Sequence, residues 1–205
     1  TRWDVGLHTN VSSRVQAVCD FFGPADFRRV PQYLNANTRG AFGRMDSPES
    51  RLLGGPVTGN LERAAEASPA VHASPDDPPF LIVHGDQDTV VPYDQSEALF
   101  DALKQAGVHV HFHTVLGGGH GSGFGGPDFE RMLYAFFDRW LKGDASAPAP
   151  TGAVRTAAAA ATGQSRGPQR EVIRPPLRWE PVRARFDANR DGRVTLSEFG
   201  GPPAL

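Results

Sequence analysis

The sequence predicts an α/β fold over residues 1–143, in which helices flank a parallel sheet. Short apolar runs with strand character alternate there with longer segments whose apolar residues recur every three or four positions. Strands and helices that alternate in this order favour parallel strands joined by right-handed crossovers. In such a sheet, reactive side chains collect beyond the carboxyl ends of the strands.

The elements can be assigned in chain order. RVQAVCDFFGP predicts a strand that ends at Gly23 and Pro24. Residues 25–79 break into short pieces, including a helix opened by Ser47 and Pro48 and the helical run LERAAEA. The remaining elements are a strand PPFLIVHG, a helix DQSEALFDALKQAG, a strand VHVHFHTVL and a helix FERMLYAFFDRWLKG.

Composition excludes several classes of protein. The 205 residues are 39% hydrophobic and 21% charged, with a formal net charge of -2, so nothing favours nucleic acid as a partner. No apolar run approaches the roughly 20 residues that cross a bilayer, and we expect no membrane span. The single cysteine, Cys19, lies in an apolar run and is expected to be an inert thiol. A homo-oligomer is compatible with the sequence.

The composition changes at Gly143. Residues 144–178 are rich in Ala, Pro and Gly and predict a linker followed by an extended basic segment. Residues 179–205 contain a separate calcium-loop motif. The sequence therefore predicts three regions, 1–143, 144–178 and 179–205.

Two residues at the expected sheet edge predict a catalytic pair. Asp88 follows one strand and His120 follows the next, with one helix and one strand between them, as in a βαβ crossover. An aspartate bonded to one imidazole nitrogen lets the other nitrogen accept a proton from a nucleophile. Asp86, placed directly after His84 and Gly85, is expected to bond turn amides instead. The alternative is that both aspartates only cap the turn.

Two motifs resemble a known family. HGDQDTVVP followed by GGGHG resembles the C-terminal half of the α/β-hydrolase fold in carboxylesterases and carbohydrate esterases, which are themselves similar to the catalytic domain of prolyl oligopeptidase. SSRVQAVCDFFGPADF and SPESRLLGG are also similar to that esterase group, and the resemblance covers residues 11–142. It implies that Asp88 and His120 complete a triad with a serine.

The sequence departs from that family at the nucleophile. No GxSxG elbow precedes Asp88, although serine, acid and histidine follow one another in that order in this fold. GQSRG at 163–167 follows His120 without a preceding strand, and Ser122 shares the loop of the histidine, so we reject both. The oxyanion-hole loop is also missing. We expect the nucleophile upstream of Thr1, in an N-terminal part of the same hydrolase, and no triad catalysis by these 205 residues alone.

The second strong motif is DANRDGRVTLSE, which fits the EF-hand-like calcium loop at every defined position. The expected oxygen ligands are the side chains of Asp187, Asn189, Asp191 and Glu198, the backbone carbonyl of Arg193, and Thr195 through water. Pro181 shortens the entering helix, and glycines and prolines end the exiting one, so we expect a structural calcium ion. A degenerate loop that serves only as a turn is the alternative.

The strand HVHFH places His109, His111 and His113 on one face, a spacing that can hold zinc or nickel. Polar residues on one face of a late strand are common, and we favour that interpretation.

Three functions are compatible with these patterns. The favoured one is a serine esterase acting on small acyl esters, including esters on carbohydrate, with no cofactor for catalysis. A non-catalytic calcium-binding module with a hydrolase-like shell and a prolyl-oligopeptidase-like peptidase are the alternatives. The calcium loop and the linker favour a secreted or periplasmic protein.

Overall fold

The computed structural model describes residues 5–35, 44–147 and 154–155. The strands are β1 (Val18–Phe21), β2 (Phe80–Gly85), β3 (Val110–Leu116) and β4 (Val154–Arg155). The helices are α1 (Val30–Asn35), α2 (Pro48–Leu53), α3 (Leu61–Glu66), α4 (Asp94–Gln105) and α5 (Pro127–Leu141). Within the described part of the chain, no helix combines the length and apolar character needed to cross a bilayer.

The strands form one sheet in the order β1-β2-β3-β4, and every neighbouring pair is parallel. The predicted parallel sheet with flanking helices is therefore confirmed. Because the strands run in one direction, the chain leaves β1, β2 and β3 at the same edge. The two-residue strand β4 lies in the region predicted as a linker and pairs with Val115 and Leu116. Such a short ladder produces no detectable pattern in an Ala-rich sequence.

Both faces of the sheet are covered. Leu81, Val83 and Val115 pack against α5 on one face, whereas Ile82 packs against α4 on the other. The alternation follows from the two-residue period of a strand. Because β2 is buried on both faces, it reads as a continuous apolar run.

Residues 25–35 and 44–71 form short helices, with 3-10 turns at Phe27–Arg29, Val57–Gly59 and Pro69–Val71. Their core comprises Phe27, Val30, Tyr33, Leu53, Val57, Ala64 and Val91. Gln95 of α4 joins these helices to the sheet, because its side-chain oxygen accepts from the backbone N–H groups of Ala25 at 3.0 Å and Asp26 at 2.7 Å.

Several predicted features lie outside the described residues. They include the calcium loop at 187–198, the rejected GQSRG match at 163–167 and most of the predicted linker.

Candidate active site

The turn after β2, residues 86–93, is here called the acid turn, and it encloses the Asp88 carboxylate. Asp88 Oδ1 accepts hydrogen bonds from the backbone N–H groups of Val90 at 2.7 Å and Val91 at 3.0 Å. The side chain of Asp88 has no exposed surface. These bonds fix one oxygen of the carboxylate and leave Oδ2 for other donors.

The structure brings Asp88 and His120 together. His120 Nδ1 donates to Asp88 Oδ2 at 2.8 Å, and 36% of the His120 side chain is exposed. The contact bridges the carboxyl ends of β2 and β3, as the crossover spacing predicts. An imidazole held at Nδ1 by a buried carboxylate has its other nitrogen available for proton transfer.

A second histidine reaches the same carboxylate from the interior. His84, at the end of β2, is fully buried, and its Nε2 lies 3.3 Å from Asp88 Oδ2. The same nitrogen is 3.1 Å from the carbonyl oxygen of Val91, and Nδ1 is 2.7 Å from Ser96 Oγ. The role of His84 was not predicted from the sequence, where the only available signal was a histidine directly before Gly85.

The donors around Asp88 determine its ionisation. Burial raises the pKa of Asp88, but hydrogen bonds from His84, the N–H of Val90, His120 and the N–H of Val91 together hold that pKa below its usual range. Asp88 is therefore a carboxylate over the whole neutral range and accepts the Nδ1 proton of His120.

The loop after β3, residues 117–126, is here called the histidine loop, and it lies directly on the acid turn. Asp86 Oδ1 accepts from the N–H of Gly117 at 2.7 Å, and the N–H of Gln87 donates to the carbonyl of Gly118 at 2.8 Å. A Cβ on Gly85 would lie 2.3 Å from that carbonyl oxygen, so only glycine permits this approach. Asp86 thus bonds a backbone amide, although in the facing loop and not in its own turn.

Ser122 also has a local role in the histidine loop. Its hydroxyl oxygen accepts from the N–H of Gly119 at 2.9 Å, and this bond closes the loop beside His120.

Phe22, immediately after β1, forms an aromatic wall for the histidine. The centroids of the Phe22 and His120 rings are 4.2 Å apart, and the Phe124 ring lies 5.2 Å from Phe22 at 83°. The backbone of Phe22 has φ 45, in the left-handed region, and its N–H donates to the carbonyl of Val83 at 2.9 Å. The sequence predicts Phe22 as an ordinary strand residue. A bulky side chain gives no sign in the sequence that its backbone adopts a left-handed conformation.

A second carboxylate, Asp20 of β1, lies at the same sheet edge in a different environment. Burial raises the pKa of Asp20, and a backbone hydrogen bond from Gly23 and the charge interaction with His84 offset this only in part. Within the described residues, Asp20 Oδ2 is buried and makes no hydrogen bond.

The remaining candidates stand apart from this edge. The His109 ring packs on Trp140 with centroids 4.9 Å apart, and His113 is 2% exposed. Within ranges 5–35, 44–147 and 154–155, no group of three His, Cys, Asp or Glu side chains is arranged to hold a metal ion. Burial, followed by the neighbouring Asp20, raises the pKa of the Cys19 thiol far above its usual range, consistent with an inert thiol.

A carboxylate and an imidazole paired beyond the carboxyl ends of parallel strands are the acid and base of the α/β-hydrolase arrangement. Known proteins resemble the chain in the same region. The profile of the BD-FAE family matches residues 4–103. The probable carboxylic ester hydrolase LipM of Mycobacterium tuberculosis is 34% identical over 93 residues, which are 45% of this chain and 20% of LipM.

Two solved structures share the fold. A truncated form of a carbohydrate esterase from gut microbiota is 33% identical, with a TM-score of 0.56 over 66% of this chain and 46% of that protein. A bifunctional GH43-CE protein from Bacteroides eggerthii is 38% identical, with a TM-score of 0.53 over 64% of this chain and 18% of its own.

These matches support the α/β-hydrolase esterase superfamily, and the fold is that of its C-terminal part. The chain spans less than half the length of each of these three relatives.

Proposed function

We propose that this chain provides the acid, Asp88, and the general base, His120, of a serine esterase whose nucleophile is contributed by residues outside these 205. The contact that carries the proposal is the 2.8 Å hydrogen bond from His120 Nδ1 to Asp88 Oδ2. A carboxylate with several donors and an exposed imidazole is the pairing that a serine nucleophile requires.

Each group has a defined chemical role in this proposal. Asp88 fixes the His120 tautomer with the proton on Nδ1, and it stabilises the imidazolium that forms during the reaction. His120 Nε2 takes the proton of the serine hydroxyl as the oxygen attacks the ester carbonyl, and it then donates that proton to the departing alcohol. Water repeats the sequence on the acyl-enzyme and releases the acid.

The names of the relatives support a carboxylic ester as substrate. LipM is described as a probable carboxylic ester hydrolase, and the gut-microbiota structure is described as a carbohydrate esterase. We infer small acyl esters as the substrate class, including esters carried on carbohydrate.

The experiment supplies the missing nucleophile. A GxSxG-bearing N-terminal portion of a carbohydrate esterase is joined to this chain, giving what we call the fusion enzyme, and hydrolysis of p-nitrophenyl acetate is followed. We expect His120→Ala to lower kcat by about 10³-fold or more, as removal of a triad base does. His72→Ala is the matched control, because His72 is exposed and bonds only the carbonyl of Glu66 in the described structure.

Equal rates for the fusion enzyme and its His120→Ala variant would contradict the proposal. The chain alone provides a second test, since a fluorophosphonate probe is expected to label none of its serines. A labelled serine within the 205 residues would contradict the external nucleophile. Hydrolysis of an amide substrate by the fusion enzyme, without ester hydrolysis, would favour the peptidase alternative.

We also propose a structural calcium ion at residues 187–198, outside the described residues. The support is the DxNxDGxxxxxE pattern, with Asp187, Asp191 and Glu198 as the charged ligands. Calorimetric titration with calcium is expected to show one site that Glu198→Gln removes and that Glu62→Gln, on the exposed surface of α3, retains. Equal binding by both variants would contradict the assignment.

A further inference from the structure

We propose that His84 is a positioning residue for the active-site pair, holding the Asp88 carboxylate from the interior while His120 binds it from the solvent side. The inference rests on the proposed function, because a positioning role has meaning only if Asp88 and His120 act together. It adds a second imidazole and a serine to the site, Ser96-His84-Asp88-His120.

The contacts of His84 determine which nitrogen carries its proton. Nε2 faces two acceptors, the carbonyl oxygen of Val91 at 3.1 Å and Asp88 Oδ2 at 3.3 Å. An unprotonated Nε2 would direct its lone pair at both oxygens, so Nε2 carries the proton and donates. In the neutral ring Nδ1 is then the acceptor, and the Ser96 hydroxyl, 2.7 Å away, donates to it. The two acceptors at Nε2 therefore select the tautomer, and the Ser96 hydroxyl completes it by donating to Nδ1.

Burial makes the hydrogen bond from this tautomer of His84 to Asp88 difficult to replace. His84, Ser96 and the Asp88 side chain have no exposed surface, so water cannot replace a lost donor there. The Tyr93 ring, 5.5 Å from the His84 ring at 66°, and the Phe22 ring, 6.4 Å away at 73°, enclose the imidazole edge-on. An Asp88 carboxylate that lost the His84 donor would be a buried charge with fewer hydrogen bonds.

His84 and His120 both contact the same carboxylate oxygen, Asp88 Oδ2. Loss of one contact is therefore expected to affect the other. Oδ2 accepts from His120 at 2.8 Å and lies 3.3 Å from His84, whereas the backbone amides bind Oδ1. His84 fixes the position of Oδ2, and through it the position of His120 Nδ1. Because a serine nucleophile needs the imidazole within hydrogen-bond reach, loss of this support is expected to lower kcat more than it changes KM.

Nuclear magnetic resonance of the chain itself tests the network without any nucleophile. Long-range proton–nitrogen spectra are expected to show His84 with its proton on Nε2, and the Nδ1 proton of His120 is expected as a low-field signal protected from exchange. A His84 proton found on Nδ1 would overturn the proposal.

Variants then separate positioning from packing. His84→Phe keeps a buried ring but removes the donor, so the low-field His120 signal is expected to be lost, and the pKa of Asp88, followed by its carboxyl carbon, is expected to rise. His84→Gln restores an N–H donor near Asp88 and Val91, and it is expected to recover both signals. Ser96→Ala, which leaves His84 in place, is expected to weaken the low-field signal without removing it.

The matched control is His113→Phe, a substitution of the same kind at a buried histidine on β3 that is 2% exposed. It is expected to leave the low-field His120 signal and the Asp88 titration unchanged. If His84→Phe fails to fold, the Gln and Ala variants still carry the test.

Activity is measured separately in the fusion enzyme. His84→Phe is expected to lower kcat about tenfold, the rate equivalent of one hydrogen bond to a charged group, with KM nearly unchanged. If His84→Phe leaves the low-field His120 signal and the pKa of Asp88 unchanged, the positioning role is overturned, regardless of the activity of the fusion enzyme. Signals that respond as expected in a chain whose fusion enzyme is inactive would overturn the proposed function instead.

Discussion

The pKa values of two buried aspartates at the same sheet edge are shifted in opposite directions, and the difference lies in their hydrogen-bond donors. Burial acts on both in the same direction, since it raises the pKa of Asp20 and also works to raise that of Asp88. Asp88 has hydrogen bonds from two backbone amides and two imidazoles, which reverse the effect of burial. Asp20 has one backbone hydrogen bond and a buried Oδ2 without a donor among the described residues.

Burial alone therefore does not keep an aspartate ionised. An acid that must remain ionised beside an imidazole needs donors on both oxygens, and the acid turn provides them through Val90, Val91, His84 and His120. Asp20, in register with Ile82 of β2, receives one backbone hydrogen bond, from Gly23. The sheet edge therefore contains one carboxylate suited to orient a base and one that is not.

The largest expected effect separates the two aspartates by activity. In the fusion enzyme, Asp88→Asn is expected to lower kcat by about 10⁴-fold, because the amide favours the wrong tautomer of His120. Asp20→Asn is expected to leave kcat within the scatter of the unsubstituted enzyme. Steady-state kinetics with p-nitrophenyl acetate provide the measurement, and comparable losses of kcat in the two variants would contradict the different roles of Asp88 and Asp20.

The next effect concerns the close contact that places the acid turn against the histidine loop. In Gly85→Ala the new Cβ would meet the Gly118 carbonyl oxygen at 2.3 Å and carbon at 2.5 Å, which are backbone atoms that cannot move aside alone. We expect the free energy of unfolding to fall by about 2 kcal/mol, as overpacking usually costs. Urea denaturation measures it.

Gly59→Ala is the control for that measurement. A Cβ on Gly59 meets nothing within 4 Å, and its φ is not in the left-handed region. It is expected to retain or slightly increase stability, because alanine restricts the unfolded chain. A Gly85→Ala variant as stable as Gly59→Ala would show that the loops can separate without cost.

The pH dependence of stability is expected to have opposite signs at the two aspartates. The low pKa of Asp88 stabilises the fold above the ordinary aspartate pKa, and this contribution is lost as pH falls through the folded value. The high pKa of Asp20 imposes a penalty that is absent at low pH and develops as pH rises through its folded value.

Unfolding curves at a series of pH values test these signs. Asp88→Asn is expected to reduce the fall in the free energy of unfolding at acid pH. Asp20→Asn is expected to become more stable relative to the parent as pH rises. One proton changes the slope by at most about 1.4 kcal/mol per pH unit. Two variants that shift the curve in the same direction would contradict the contrast.

The smallest effect concerns Asp86, a third aspartate in the same region. Asp86→Ala removes the acceptor of the Gly117 N–H, a bond of 2.7 Å, and is expected to cost about 1 kcal/mol. Hydrogen exchange at the Gly117 amide is expected to accelerate accordingly. Asp101→Ala, on the exposed surface of α4, is the control, and equal exchange in both variants would contradict the anchoring role.

The contact between Asp88 and His120 could be anticipated from the sequence because it depends on topology. The spacing between Asp88 and His120 fits one crossover, and β2 and β3 are indeed neighbours in register from Phe80 and Val110 onward. Periodicity also placed α5 within two residues of its observed start and end, Pro127 and Leu141. These features depend on repeated patterns that a linear sequence records.

The rest of the site depends on distances that no local pattern encodes. His84 ends an apolar strand and reads as an ordinary buried residue until Ser96, 12 positions later, is known to bond its ring. The sequence does not show which of Asp20 and Asp88 has the lower pKa. That difference depends on how many hydrogen-bond donors several separate elements bring to each carboxylate. The calcium loop at 187–198 stays a prediction.

The left-handed backbone at Phe22 has an energetic consequence for the site. A side chain of this size in that region costs about 1 kcal/mol, whereas glycine adopts it freely. Contacts with the rings of His120 and Phe124 offset a cost of this size, since aromatic pairs contribute about 0.5–1.5 kcal/mol each. The ring contacts that offset the main-chain strain at Phe22 are therefore the same contacts that restrict the motion of the His120 imidazole.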